Sequence, residues 1–330
     1  MNRSLIHLLR DREQTLRDQH GIAFRITGIA SRRLGWIADP TGLDPNAFAE
    51  QSPSPAESRR PDQPPTDQTP TDVRSWLAAA HADILFEATS LNVENGQPAV
   101  DHIRAALEHG AHAITANKGP IVHAYRELRD LAAARNKRFL FESTVMDGVP
   151  IFSLFEQLPA IHLKGFHGIL NSTTNVILSE MGHGLSFDES LKKAQSLGIA
   201  ETDATHDIDG WDAAVKTAAL ITVLMDIPIR LEEIQREGIR GLKSRTLHEA
   251  SMDEFPYKLV CRAKREGSGV KASVRPEKVL VSTPMGGTSG TSSYICFNTD
   301  IFPVLSITEG DPGLHATAYG MLADFLRAVS

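Results

Sequence analysis

Between residues 22 and 143, apolar strand-like runs alternate with helical ones, and this alternation limits the fold more than any other feature. The strand-like runs lie at 22–30, 83–88, 111–115 and 138–143, with helical runs at 98–109 and 121–136 among them. That spacing predicts an α/β domain built on a parallel, doubly wound sheet, which binds ligands at the carboxyl ends of its strands. Residues 4–19 read as an amphipathic helix with Leu5, Leu8, Leu9 and Leu16 on one face. A dinucleotide-binding sheet usually opens with a strand and a Gly-x-Gly-x-x-Gly turn that cradles the pyrophosphate. No such motif precedes residue 4. The expectation is a Rossmann-like domain truncated at its first strand, through a start codon placed too late or a real truncation.

A chain of 330 residues has room for two domains. The predicted boundaries are 1–149 for the nucleotide-binding domain, 150–305 for an α+β substrate-binding domain, and 306–330 for a last helix returning to the first. Within 51–72 stand six of the 18 prolines, among Ser, Gln, Asp and Thr. So little of this can be buried that it reads as a disordered surface insert. In the second domain, strand-like runs at 162–170, 270–282 and 291–298 predict an antiparallel sheet. Gly286, Gly287 and Gly290 mark the turn between the last two.

Composition excludes several classes. A net charge of −7 argues against nucleic-acid or membrane-surface partners. Cys261 and Cys296 have no metal-like spacing and form no disulfide framework, which fits a reducing compartment. With no membrane-length apolar run and no signal-peptide core, the cytoplasm is the expected location.

The chemistry concentrates in residues 194–216. Glu201, Asp203, Asp207, Asp209 and Asp212 crowd a loop punctuated by Gly198 and Gly210, and Lys216 follows. From Trp211 the sequence is strongly helix-forming, with Asp209 or Asp212 suited to the first turn. Asp212 and Lys216 then stand four apart on one face. A lone pair of this kind is usually a solvated ion pair worth a few tenths of a kcal/mol. Five carboxylates before one lysine are less ordinary. They can hold an ammonium-bearing substrate and set one acid/base nitrogen beside it.

This stretch resembles the signature of the homoserine dehydrogenases. Ala194, Gly198, Ile199, Ala200, Asp207, Ile208, Gly210, Asp212 and Lys216 match it, with Ala204 where the family usually has proline. The resemblance extends to Thr115-Ala116-Asn117-Lys118, whose lysine it places between nicotinamide and substrate. It also covers Asn171-Ser172-Thr173-Thr174-Asn175 on the substrate side, with Ser172 in place of glycine. Residues 141–150 resemble a monovalent-cation loop, which gives Glu142, Val145, Asp147 and Val149 as candidate ligands for Na+ or K+ through oxygen. The run 310–314 resembles the loop before the family's last helix, degraded at Leu314, and includes Gly313 as a cofactor contact. The antiparallel sheet would pair two subunits into a homodimer.

The resemblance implies reversible hydride transfer between NAD(P)H and aspartate 4-semialdehyde, giving homoserine, a step towards threonine, methionine and isoleucine. Lys216 is the candidate proton donor, with Lys118 second. Glu201, Asp212 and Thr174 are candidate substrate contacts, and Asp207 the residue holding Lys216. Thr89 and Ser90, at a strand end, are candidate cofactor contacts. Arg32 and Arg33 stand where an NAD-specific fold has an acidic residue, which suits the 2′-phosphate of NADP. Two other readings stay open: a paralogue that binds no dinucleotide, which the missing glycine turn favours, and a dehydrogenase of another aspartate-derived amino acid.

Overall fold

The computed structural model describes residues 2–49 and 70–330. The chain forms two compact units. One holds the residues up to Gly148 together with Leu314–Ser330, and the other runs Val149–Gly313.

In the first unit the opening helix, Asn2–His20, buries Leu5, Leu9 and Leu16 and partly buries Leu8. The run at 22–30 departs from the expectation. Only Gly28–Ser31 forms a strand, β1, and it pairs antiparallel with β2, Gly35–Ala38, in a hairpin. Residues 22–27 join no ladder among the described residues, although Ile22 and Phe24 pack on the core. Apolar character places a segment against a core, but only a neighbouring strand makes it part of a sheet. The hairpin is tied down by Trp76, whose indole N–H donates to the Ile37 carbonyl at 2.7 Å. A Cβ at Gly28 would stand 2.8 Å from the Trp76 ring, so the glycine makes this packing possible.

The parallel sheet itself has the order β3 (Ile84–Glu87), β4 (His112–Thr115), β5 (Phe139–Leu140). The helices Ala99–His109 and Gly119–Ala134 make the crossovers. The first buries Val100, Ile103, Ala106 and Leu107 on one face and ends at Gly110, whose φ of 91° closes the helix in the left-handed conformation. The predicted insert lies outside the described residues as far as residue 69. Its end, however, is structured: Asp72 caps the helix Val73–Ala80 in a capping box with Ser75. The last helix, Leu314–Val329, packs Ala318, Met321, Leu322 and Phe325 against Leu5, Leu9, Leu16, Ile114 and Leu140.

The second unit is built on a six-stranded sheet. Its strands are β6 (Leu163–Ile169), β7 (Gln235–Arg236), β8 (Tyr257–Glu266), β9 (Gly269–Lys278), β10 (Ser293–Thr299) and β11 (Leu305–Glu309), in the order β11-β10-β6-β8-β9-β7. The pairings are antiparallel except for β7 with β9. Strands β7, β8 and β11 were not expected. Residues 306–309 belong to this sheet and not to a returning C-terminal segment, because β11 pairs with β10 from Leu305 to Glu309. The glycines expected to mark a turn lie on the link from β9 to β10, where Pro284–Gly287 is a short helix. Helix Ser172–Gly182 packs near β8, and Trp211–Leu224 near β8 and β9. The second is buried from Ala213 to Val215 and from Thr217 to Thr222, so its apolar surface runs nearly all round. Among the described residues no helix is long and apolar enough to cross a membrane.

Candidate active site

Strand β6 ends at Ile169, and two residues later Asn171 caps the helix Ser172–Gly182. Its Oδ1 accepts the Thr174 N–H at 2.9 Å. With the oxygen used as the cap, the amide nitrogen points the other way. It donates to Asp207 Oδ1 at 2.8 Å and to Asp212 Oδ2 at 3.0 Å. One carboxamide thus joins two carboxylates that come from separate helices, Thr205–Ile208 and Trp211–Leu224.

Lys216 stands one turn beyond Asp212. Its ammonium pairs with Asp212 Oδ2 at 3.1 Å and donates to the Leu170 carbonyl at 2.6 Å. The side chains of Lys216 and Asp212 are only 17% and 19% exposed, so this pair is not solvated in the way a surface pair is. Burial, and next the neighbouring charge of Asp212, raise the Asp207 pKa above the ordinary carboxylate range. Hydrogen bonds from Asn171 and Thr173 and the charge of Lys216 pull it back. The cluster can receive an ammonium group on its carboxylates and hand a proton to an oxygen beside Lys216.

Asp212 and Leu170 hold the Lys216 ammonium, whose charge also acts on Asp207, and Asn171 engages the Asp207 carboxylate. Thr174 is fully buried and its hydroxyl donates to Asn171 Oδ1 at 2.8 Å, so it orients the cap instead of lining a pocket. Glu201 is exposed on the loop, which Gln195 fastens through the carbonyls of Glu201 and Thr202. The bridging role of Asn171 is not legible in the sequence, where the residue stands only within a run on the substrate side. Behind the cluster, Arg236 lies over the Trp211 ring at 3.7 Å and donates to the Asp209 carbonyl, and Arg240 pairs with Asp209 at 3.2 Å. These fix the junction between the two acidic helices.

The raised pKa of Asp207 has a consequence for stability. The contribution of its protonated form is fully present below the unfolded-state carboxylate pKa. It is lost as pH rises through the raised folded value, so the ionised group costs stability at neutral pH. Asp207→Asn is expected to raise the thermal midpoint near neutral pH by about a degree or more while lowering kcat/KM. A lower midpoint by calorimetry would sink this account of the site.

In the other unit the ends of β3 and β4 carry the polar groups. Thr89 and Ser90 are exposed, Lys118 is half-buried, and Asn117 is buried beside it. The helix Gly119–Ala134 begins directly after Lys118. Hydroxyls and a lysine at the carboxyl ends of parallel strands, beside a helix N-terminus, form a polar set that fits the polar groups of a dinucleotide. Arg32 and Arg33 are exposed at the tip of the β1–β2 hairpin, not at the end of a parallel strand. Gly313 is exposed before the last helix, and a Cβ there would meet nothing, so no close backbone approach explains it.

The expected cation loop has a different arrangement. Glu142 is buried, with Arg327 at 3.5 Å, and its N–H donates to Asp324 at 2.7 Å. Val145 is buried, and Asp147, at φ 46°, accepts the Thr317 hydroxyl at 2.6 Å. In the second unit the Val149 carbonyl accepts the Ile151 N–H at 2.9 Å. Among the described residues no group of three or more His, Cys, Asp or Glu is placed to hold a metal ion.

Comparison with known proteins shows the family. Residues 150–326 match the family model described as homoserine dehydrogenase, and residues 3–142 the model described as homoserine dehydrogenase, NAD binding domain. An NAD(+)-dependent homoserine dehydrogenase of Pseudomonas canavaninivorans is 32% identical over 329 residues, covering 99% of this chain and 93% of that protein. A crystal structure of a homoserine dehydrogenase from Thiobacillus denitrificans superposes with a TM-score of 0.81 at 27% identity, over 99% of this chain and 70% of that one. A hyperthermophilic archaeal homoserine dehydrogenase mutant, solved in complex with NADPH, does so with a TM-score of 0.80 at 25% identity, over 99% and 93%. With both of its units matched, the chain belongs to the homoserine dehydrogenase family, oxidoreductases that carry an NAD-binding domain.

Proposed function

We propose that this chain interconverts L-homoserine and L-aspartate 4-semialdehyde with a nicotinamide dinucleotide, a step in the biosynthesis of threonine, methionine and isoleucine. The observation that carries the reading is the Lys216 ammonium, held by Asp212 and the Leu170 carbonyl next to a second half-buried carboxylate, Asp207. Asp207 and Asp212 offer negative charge to the substrate ammonium. A bound nicotinamide cofactor supplies or accepts the hydride. In reduction the aldehyde oxygen gains negative charge, and Lys216 stabilises it and donates the proton. In oxidation the hydroxyl proton returns to the lysine nitrogen as the C–H hydride leaves, so charge and electrons balance. Lys118, at the end of β4, is the second catalytic-site lysine.

NADP is the favoured cofactor in this reading. Arg32 and Arg33 are exposed on one hairpin tip, where guanidinium groups suit a phosphate. A monovalent cation at Glu142, Val145, Asp147 and Val149 finds less support. Arg327, shared with Asp324 at 2.9 Å, already stands 3.5 Å from Glu142, and the proposed reaction uses no cation. A homodimer fits β11, an edge strand that follows exposed Ile301, Phe302 and Val304. A cytoplasmic location fits two buried, unpaired cysteines.

The test is a steady-state assay of homoserine oxidation with each cofactor, and light scattering on the same preparation. We expect homoserine-dependent reduction with NADP favoured over NAD, and a dimer. Replacing Arg32 by Asp and Arg33 by Ser should narrow or reverse the preference. No turnover with either cofactor would refute the proposed activity. A severalfold preference for NAD in the parent would refute the role of the arginines, and a monomer at micromolar concentration would refute the dimer.

A further inference from the structure

Glu87 is a buried carboxylate that the proposed reaction leaves unused. It closes β3 and is 3% exposed. Three donors point at it. The Thr89 N–H at 2.7 Å and the Thr89 hydroxyl at 2.5 Å reach Oε1, and the Thr115 hydroxyl at 2.6 Å reaches Oε2. Thr115 closes the neighbouring strand β4 and is fully buried. Because its hydrogen is committed to Glu87, its oxygen faces the Asn117 N–H as an acceptor, at 2.9 Å. Asn117 is 4% exposed. Its Oδ1 accepts the Gly119 N–H at 2.8 Å, and its Nδ2 donates to the Thr89 carbonyl at 3.0 Å.

Asn117 and Gly119 are the two neighbours of Lys118 in the chain. The backbone is therefore pinned on both sides of that lysine by one connected set of hydrogen bonds that ends on Glu87. Gly119 also lies close against Gly96, where a Cβ would stand 2.8 Å from the Gly96 Cα.

We propose that Glu87 is the positioning residue of Lys118: acting through Thr115 and Asn117, its carboxylate fixes the direction in which the lysine leaves the end of β4. The proposal rests on the reading of Lys118 as a catalytic-site lysine. Only an acceptor on both oxygens suits the arrangement. A carboxamide at residue 87 would turn an N–H towards either Thr115 or Thr89. Facing Thr115, it would make that hydroxyl an acceptor, so the hydroxyl hydrogen would leave residue 87 for the more distant Asn117 carbonyl at 3.5 Å and disturb the bond from the Asn117 N–H.

The experiment is a double-mutant cycle on kcat with Glu87→Gln, Lys118→Ala and the double variant, alongside NADPH affinity by fluorescence and the thermal midpoint. Lys118→Ala by itself tests the underlying reading. At parent rate it would remove the catalytic role of the lysine, and the positioning role with it. Given a rate loss there, Glu87→Gln should lower kcat by about 10- to 100-fold, the scale of a misplaced catalytic group. NADPH affinity should stay within about threefold, and in the Lys118→Ala background the loss should vanish, since coupled residues are not additive. An equal loss in both backgrounds overturns the positioning role, and so does a Glu87→Gln enzyme at parent rate. Should Glu87→Gln not fold, Thr115→Val breaks the same relay and carries the same comparison.

Discussion

Lys216→Ala is expected to lower kcat by roughly 10²–10⁴, the usual yield of a positioned acid–base group, and to leave NADPH affinity nearly unchanged. The cofactor-side polar groups belong to the other unit of the chain, whereas Lys216 is held by groups of its own. An exposed helical pair lost to alanine would cost a few tenths of a kcal/mol and no rate. This pair is different, because its ammonium is mostly buried and is shared by a carboxylate and a main-chain carbonyl. Alanine leaves the Leu170 carbonyl without that donor, so a stability loss of about 1–3 kcal/mol accompanies the rate loss. Denaturant melts separate the two effects, since kcat is read on folded enzyme. Lys216→Arg should not restore the rate. A guanidinium keeps the charge but scarcely releases a proton near neutral pH, and its planar fork does not fit one carbonyl and one carboxylate placed for a point charge. A Lys216→Ala enzyme within about threefold of the parent would hand the proton-transfer role to Lys118 or to water.

The pairing of Lys216 with Asp212 was legible because a helix fixes it: residues four apart meet on one face whatever the rest of the fold does. The same holds for β3 and β4 and for the crossover helix between them, where Ile103 and Leu107 repeat at helical spacing. What escaped depended on partners far away in sequence. Asn171 is recognisable as a cap from its place between a strand and a helix. That its amide then faces Asp207 and Asp212 follows only from the tertiary approach of segments 36 and 41 residues away. Arg327 and Asp324 reach Glu142 across 185 and 182 positions, so the candidate ligand loop meets in the fold a guanidinium that Glu142 shares with a second carboxylate. In β8 the apolar pattern is broken by Lys258. This lysine is 4% exposed and is held by Asn175 at 3.0 Å and the Thr288 carbonyl at 2.6 Å, and burial lowers its pKa to about 8. A buried lysine inside a strand reads as a surface position until its acceptors are known. Residues 22–27 err in the opposite sense: their apolar side chains find the core, but the described residues bring them no strand to pair with.

Asn171→Asp should be the most damaging single change at the substrate cluster, and comparing it with Asn171→Ser separates the two roles of this residue. Serine still caps the helix through its hydroxyl, so the first turn of Ser172–Gly182 should survive at a cost of a few tenths of a kcal/mol. It is too short to reach Asp207 and Asp212, which lose the amide that now joins them. Its defect should therefore appear in kcat/KM, with a modest change in unfolding. Aspartate also caps well, but it sets a third carboxylate against two that already repel: Asp212 is a cause of the raised Asp207 pKa. Lys216 is the cation in contact with this group, and it cannot balance three negative charges. An uncompensated charge of this kind costs about 3–5 kcal/mol, with a loss of activity at least as large as that of the serine variant. The pH dependence gives the sign. Crowding raises the folded-state pKa of the new carboxyl above its unfolded value, so the stability tied to its protonated form is present below the ordinary carboxylate range and disappears as pH rises through the raised one. Relative to the parent, Asn171→Asp should be far less stable at about pH 8 than at about pH 5, while Asn171→Ser shows no such slope. Urea unfolding at both pH values decides it. A pH-independent deficit would mean that the aspartate disturbs the helix cap and not the charge balance of the site.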